Sequence, residues 1–229
     1  MEFKSLGFER VKLKGIFETR YVSQYKINSI ILNNFFNQEV EQPHKFSFNL
    51  MLITTDLKVV LLKRTSSFYY SKVVRDLKSN KINFALLESL YASELNKIKK
   101  IFFDFMDDIS IDENNKTKKV YIFPGGHSIK NETIILTLLR ELHEELNIHI
   151  NSKSLEFNQT NIFNVLIYDI MVKKFFNNFI FPVKVQMSSD VIKNNFKKTK
   201  HTSDPIFIDI SHCTTLTEAF ILVQKFMIL

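Results

Sequence analysis

Residues 124–148, PGGHSIKNETIILTLLRELHEELNI, constrain this chain more than any other stretch. In the second half, Ile134, Ile135, Leu138, Leu139, Leu142 and Leu146 recur at mixed three- and four-residue spacings. That pattern places them on one side of a helix. Arg140, Glu141, Glu144 and Glu145 lie off the apolar stripe. At about 100° per residue, Glu141 and Glu145 are roughly 40° apart, with Glu144 roughly 60° to the other side of Glu141. Three carboxylates therefore crowd into little more than a quarter of the helix. Like charges one turn apart oppose helix formation unless something offsets them. A hard divalent cation, which takes oxygen ligands, is the evident offset. Gly125-Gly126 permits a tight backbone approach and leaves the Gly126 carbonyl able to face the same ion.

The spacing is specific. Gly126, five residues, Glu132, seven residues, then Arg140-Glu141-Leu142-His143-Glu144-Glu145, one residue, Asn147 and Ile148 resemble the Nudix box of hydrolases acting on nucleoside-diphosphate-linked substrates. The box spans 126–148. Its one departure is Asn147 in place of the final glycine, and Asn is the next-best residue for a left-handed helix end. The resemblance implies an α+β fold, a mixed β-sheet sandwiched by helices, and Mg²⁺ or Mn²⁺ held by Glu141, Glu144, Glu145 and the Gly126 carbonyl. Glu132 is expected to pair with Arg140 and brace the loop.

A length of 229 residues suits one domain, 1–229, with an insertion, or two small domains. The 23 Phe and absent Trp read as coding bias rather than function. A net charge of +7 permits a polyanionic partner. The single Cys213 leaves no internal disulfide and fits a reducing compartment. Neither a signal peptide nor a membrane span is expected from the hydropathy pattern.

Along the chain, Val11 to Tyr21 and Ile27 to Phe36 read as strand-like pieces, and Phe46 to Leu62 as two strands around a turn at Thr54-Thr55-Asp56. Residues 71–110 turn helical in pattern, with apolar positions from Leu77 through Ile98 to Phe102 and Phe105, and predict an inserted helical subdomain. Residues 111–118 have loop composition. A strand at Val120 to Phe123 leads into the box. Beyond it, 160–185 reads as two strands around Lys173-Lys174, Pro205 to Ile210 as another, and Leu216 to Leu229 as a closing helix. Lys193, Lys197, Lys198, Lys200 and His201 form a basic cluster, either a solvated face or a path for an RNA backbone. His127, His143 and His201 show no zinc-ligand spacing with Cys213.

Residues 54–75, 121–126, 168–176 and 206–211 together resemble the poxvirus Nudix mRNA-decapping enzymes, over roughly residues 45–215. In that family two aromatic residues sandwich the methylated guanine and a carboxylate contacts its edge. The matching positions are Phe68, Phe176 and Asp169, with Tyr69 competing for the place of Phe68. A positively charged methylguanine strengthens stacking between aromatic faces. Arg64 is a candidate contact to the cap phosphates. Glu144 and Glu145 are the expected catalytic carboxylates, with Asp209 as a further candidate from outside the box. The resemblance implies hydrolysis of capped mRNA in the host cytoplasm, releasing methylated GDP and RNA with a 5′-monophosphate, and so faster message turnover. No obligate protein partner is readable. Two other readings remain open at this point: a hydrolase of free nucleotides or dinucleoside polyphosphates, and an inactive protein that binds cap or RNA.

Overall fold

The computed structural model describes residues 11–14, 18–27, 29–41, 45–79, 81, 86–87, 90–101, 120–149, 155–157, 161–199 and 202–227. Phe102, Phe105, the loop 111–118, Lys200 and His201 lie outside the described residues. In chain order the elements are β1 (Val11–Lys14), β2 (Glu18–Tyr25), α1 (Ser29–Phe36), β3 (Phe46–Ile53), β4 (Lys58–Arg64), α2 (Tyr70–Lys78), α3 (Ala92–Ile101), β5 (Tyr121–Ile122) and β6 (Gly125–Gly126). They continue with α4 (Ile134–Leu146), β7 (Glu156–Phe157), β8 (Ile162–Asp169), β9 (Lys174–Lys184), α5 (Ser189–Asn195), β10 (Thr202–Asp209) and α6 (Leu216–Met227). Two compact units result, one of residues 1–63 with 121–229 and one of residues 64–120.

In the first unit the strands form one mixed sheet in the order β1-β2-β8-β9-β3-β4-β10, with β5 on β4, β6 on β3 and β7 on β9. β3 and β9 run parallel, while β1–β2, β2–β8 and β8–β9 are antiparallel. The period of two along each strand divides the apolar residues between two layers. Phe48, Leu50 and Leu52 of β3, with Phe181 and Val183 of β9, pack with Leu32, Phe35 and Phe36 of α1 and Leu138, Leu142 and Leu146 of α4. Met51, Ile53, Val59, Leu61, Phe163 and Ile180 form the opposite layer with Phe220 and Val223 of α6. Phe220 stacks on Phe163 with ring centroids 3.9 Å apart. Burial of each such side chain contributes about 1.5–3 kcal/mol, so the sheet is held from both sides.

One expected element is corrected. Ile27 to Phe36 is not a strand but contains helix α1. Leu32, Phe35 and Phe36 are buried while Asn33 and Asn34 are exposed, and burial three and four residues apart suits a helix packed on a sheet, not an alternating strand.

The second unit carries α2 and α3. Val73 and Leu77 of α2 are buried, as are Leu95 and Ile98 of α3. Glu94, only 3 % exposed, stands in the first turn of α3. Its carboxylate accepts from the backbone N–H of Tyr91 at 2.9 Å and of Ser67 at 2.9 Å. An acid at this position satisfies otherwise orphaned donors and makes burial of the charge tolerable.

α4 is closed at both ends by its own residues. Thr133 Oγ1 accepts from the Leu136 N–H at 3.4 Å. At the other end Asn147 takes the left-handed conformation, φ 55° and ψ 34°. Its N–H bonds the His143 carbonyl at 3.0 Å, and the Ile148 N–H bonds the Leu142 carbonyl at 3.3 Å, which satisfies the last carbonyls of the helix. The Asn147 amide also donates to the Asn195 carbonyl at 3.2 Å. Replacement Asn147→Ala should therefore cost about 1–2 kcal/mol, read as a lower urea midpoint, and Asn147→Gly should cost less.

Candidate active site

The acidic face of α4 meets the backbone of β6. Gly126 pairs with Phe48 and Gly125 with Asn49 of β3, so the two glycines are fixed by the sheet. Gly125 has φ 144°, and a Cβ there would collide with the Phe48 carbonyl oxygen and lie 2.6 Å from Asn49 Cα. A Cβ on Gly126 would collide with Glu141 Oε1. The first glycine serves the backbone, and the second leaves room for a carboxylate. Glu145, buried, accepts from the Gly125 N–H at 2.9 Å. Glu144 points outward, its side chain 56 % exposed.

Arg140 ties this face to the loop ahead of the helix. Its guanidinium reaches Glu132 twice, Nε to Oε1 at 2.9 Å and Nη2 to Oε2 at 3.1 Å. It also donates to the His127 carbonyl at 3.0 Å, to Glu141 Oε1 at 2.8 Å and to Glu144 Oε2 at 3.3 Å. Glu132 accepts further bonds from the Ile129 N–H at 3.1 Å and Thr137 Oγ1 at 2.8 Å. Burial works against the Glu132 charge, but the bonds from Arg140, Ile129 and Thr137 outweigh it and hold the carboxyl below its usual range. Burial pushes the Glu141 carboxyl up, offset in part by Arg140 and reinforced by Glu144 and Glu132. The bond to Glu132 holds Arg140 above its ordinary value.

Among the described residues, no three His, Cys, Asp or Glu side chains stand close enough, as placed, to hold a metal ion. The donor set nevertheless fits a hard divalent cation in kind. Glu141, Glu144 and Glu145 are oxygen donors on one face of one helix, and the missing Cβ of Gly126 is what admits the Glu141 carboxylate beside the Gly126 backbone.

The remaining sequence-predicted residues fall into three places. Asp169 ends β8 and Phe176 lies on β9, across from Ile167. Because Phe46 pairs with Asn177 and Phe48 with Gly126, both sit toward the same end of the sheet as the glutamates. Phe176 is exposed. Asp169 is buried, and its Oδ1 accepts from the Met171 and Val172 N–H groups at 2.9 and 3.1 Å, so it also shapes the hairpin turn. Phe68 belongs to the second unit, where it is exposed and the Arg64 guanidinium lies 4.0 Å from its ring centroid. Tyr69 beside it precedes α2 and is half-buried, which leaves Phe68 the more accessible ring.

Asp209 is a correction. It ends β10 beside the β3–β4 turn, where the Ile210 N–H bonds the Leu57 carbonyl at 3.0 Å. That turn follows Ile53, four residues and roughly 13 Å along β3 from Asn49 at about 3.3 Å per residue. The glutamates lie at the other end, so the fold does not bring Asp209 to them. Its carboxylate accepts from the Ser211 N–H at 2.8 Å, the bonds that hold its pKa down. Lys193 is on α5, whose start is tied to the same turn by bonds from Ser189 to Asp56 at 2.8 and 2.6 Å. Sequence reasoning missed Glu94 and Asp56, both carboxylates that accept backbone N–H groups. Their signal was position, one in the first turn of a helix and one in a turn beside a helix start.

No family model matches the chain. It is 39 % identical over 227 residues to protein 080R of Invertebrate iridescent virus 3, provisionally named a hydrolase, covering 97 % of this chain and 93 % of that one. It is 32 % identical over 181 residues to the mRNA-decapping protein OPG122 of Variola virus, covering 79 % of this chain and 71 % of that one. The OPG122 protein of Vaccinia virus strain Western Reserve is 31 % identical over the same length and coverage. Among solved structures, a Nudix hydrolase from Nitrosomonas europaea aligns with 80 % of this chain and 78 % of that chain, at 11 % identity and a TM-score of 0.39. A score that low adds nothing to the fold described above. Site and relatives together define a hydrolase. Within that class, the chain belongs to the family of the poxvirus mRNA-decapping proteins.

Two substitutions separate the roles of the glycines. Gly125→Ala should destabilise the protein by about 1–3 kcal/mol through backbone strain, seen in thermal melts. Gly126→Ala should leave the melt nearly unchanged, because the flexible Glu141 can retreat, yet depress hydrolysis. Glu132→Gln should lower activity by about 10- to 100-fold. Since the Glu132 carboxyl titrates below its usual range, its contribution to stability is present above about pH 4.3 and lost as acid protonates it. The difference in melting temperature between parent and Glu132→Gln should therefore shrink as the pH is taken below that value.

Proposed function

We propose that this protein removes the methylated guanosine cap from mRNA in the host cytoplasm, releasing methylated GDP and RNA with a 5′-monophosphate. The observation that carries the reading is the pinned acidic face: Glu141 against Gly126 and Glu145 on the Gly125 N–H, with Arg140 locked to Glu132. Its identity with the decapping proteins over 181 residues supports capped mRNA as the substrate.

Glu141, Glu144 and Glu145, with the Gly126 carbonyl, would hold Mg²⁺ or Mn²⁺, which neutralises pyrophosphate oxygens and acidifies an attacking water. The chain's own residues do the rest. The Gly125 N–H orients the Glu145 carboxylate, and the Arg140–Glu132 pair keeps α4 in register with the loop. Glu144, exposed on the helix, would take the proton from water as the water oxygen bonds to phosphorus and the bridging P–O bond breaks. Phe176 offers its exposed ring to the methylated guanine, and Asp169 offers its carboxylate to the guanine N–H donors.

The test uses RNA with a radiolabelled methylated cap, incubated with Mg²⁺ or Mn²⁺ and resolved by chromatography. The parent protein should release labelled methyl-GDP, and Glu145→Gln should reduce the rate by about 100-fold or more. Hydrolysis of free nucleotides without release from capped RNA would transfer the activity to small substrates. Phe176→Ala should raise KM for capped RNA with a smaller change in kcat.

A further inference from the structure

Phe175 and Phe176 are consecutive on β9, so the strand points them to opposite faces of the sheet. Phe176 shares its face with Ile167 and, further along, Ile180 and Phe163, which pack under α6. Phe175 lies on the other face, the one covered further along by α1 and α4, and is 59 % exposed. The register shows what surrounds it there. Tyr168 of β8 stands opposite Phe175, ring centroids 4.8 Å apart, and Thr19 of β2 stands opposite Tyr168. In the next rung, Lys12 of β1, Tyr21 of β2, Leu166 of β8 and Asn177 of β9 lie in line. Lys14 pairs with Thr19. Lys12 and Lys14 are exposed, while Tyr21, Leu166, Tyr168 and Asn177 are half-buried. The Lys12 ammonium lies 5.8 Å from the Tyr21 ring centroid.

We infer that this rung-and-ring face is a platform for the single-stranded RNA body that follows the cap. The inference rests on the decapping reading for its occupant. Aromatic rings on neighbouring strands offer flat faces to successive bases, and lysines along the edge strand meet the phosphates. A four-stranded sheet face of this kind accommodates two or three stacked bases in common RNA-binding modules. The position is continuous with the site: Asn177 pairs with Phe46, two residues before the Phe48 that holds Gly126, and α4 covers the same face. Capped RNA would then lay its methylguanine against Phe176 on one side of the sheet and its body against Phe175, Tyr168 and Tyr21 on the other. The scissile pyrophosphate would pass the glutamates at the sheet end.

The test is fluorescence anisotropy with a 3′-labelled, 5′-monophosphorylated single-stranded RNA of about 12 nucleotides, long enough to cover the platform and its edge strand. Phe175→Ala should weaken binding by about 5- to 100-fold, and Phe175→Tyr, which keeps the ring, should restore it. Lys12→Ala with Lys14→Ala should reduce the slope of log affinity against log salt by about 1.4. With long capped RNA as substrate, Phe175→Ala should raise KM and spare kcat, with a capped dinucleotide, which has no RNA body, as the internal reference. RNA affinity unchanged in Phe175→Ala and in Tyr168→Ala would overturn the platform, whatever partner the face then takes. No cap release by the parent, with RNA affinity still lost in Phe175→Ala, would instead overturn decapping and leave the platform standing.

Discussion

The pairing of Arg140 with Glu132 is the interaction on which the rest of the site depends. A helix carrying Glu141, Glu144 and Glu145 on one arc is under electrostatic strain. The guanidinium relieves part of it by donating to Glu141 and Glu144 while its other edge grips Glu132 and the His127 carbonyl. A planar five-donor fork can do this, and a lysine could not. The same contacts fix the loop 127–133 against the helix, so the carboxylates and the glycine backbone approach each other in one geometry.

The sheet supplies the second constraint. β3 holds β6 by main-chain pairing and is flanked on its other side by parallel β9, so one strand sets the position of the glycines and of the β8–β9 hairpin together. Both layers of core seal onto it, α1 and α4 on one face and α6 on the other. Buried Arg20 reinforces the second layer, donating to Gln224 at 2.7 Å and to the Met227 carbonyl at the end of α6 at 3.0 Å. A rigid scaffold of this kind lets exposed residues at the strand ends diverge in role without moving the chemistry.

Much of this was legible in the sequence because local spacing carries it. The arc of three glutamates follows from offsets within one helix, the left-handed Asn147 from its place at the helix end, and the Glu132–Arg140 pairing from the resemblance to the Nudix box. The β3–β4 and β8–β9 hairpins are equally local. Ile27 to Phe36 looks strand-like because Ile and Phe favour strands, while the helical signal lies in the order of buried residues and exposed asparagines, Leu32, Asn33-Asn34, Phe35-Phe36. The place of Asp209 is illegible in sequence for a different reason. An acid at the end of a strand is chemically plausible for a hydrolase, but nothing within a few residues tells which end of the sheet that strand finishes at.

By itself the sequence determined which groups this protein brings to its chemistry: an acidic helix face, its arginine, and two glycines with no side chain to obstruct them. These are short-range facts, governed by helix period and steric size. Only the tertiary structure decided where those groups meet the rest of the chain. Strand order and register put Phe176 and Asp169 at the end of the sheet where the glutamates lie, sent Asp209 to the other end, and turned Phe175 onto the opposite face from its neighbour. The physical reason is that register is set by pairing between strands distant in sequence, and a shift of one residue exchanges the two faces.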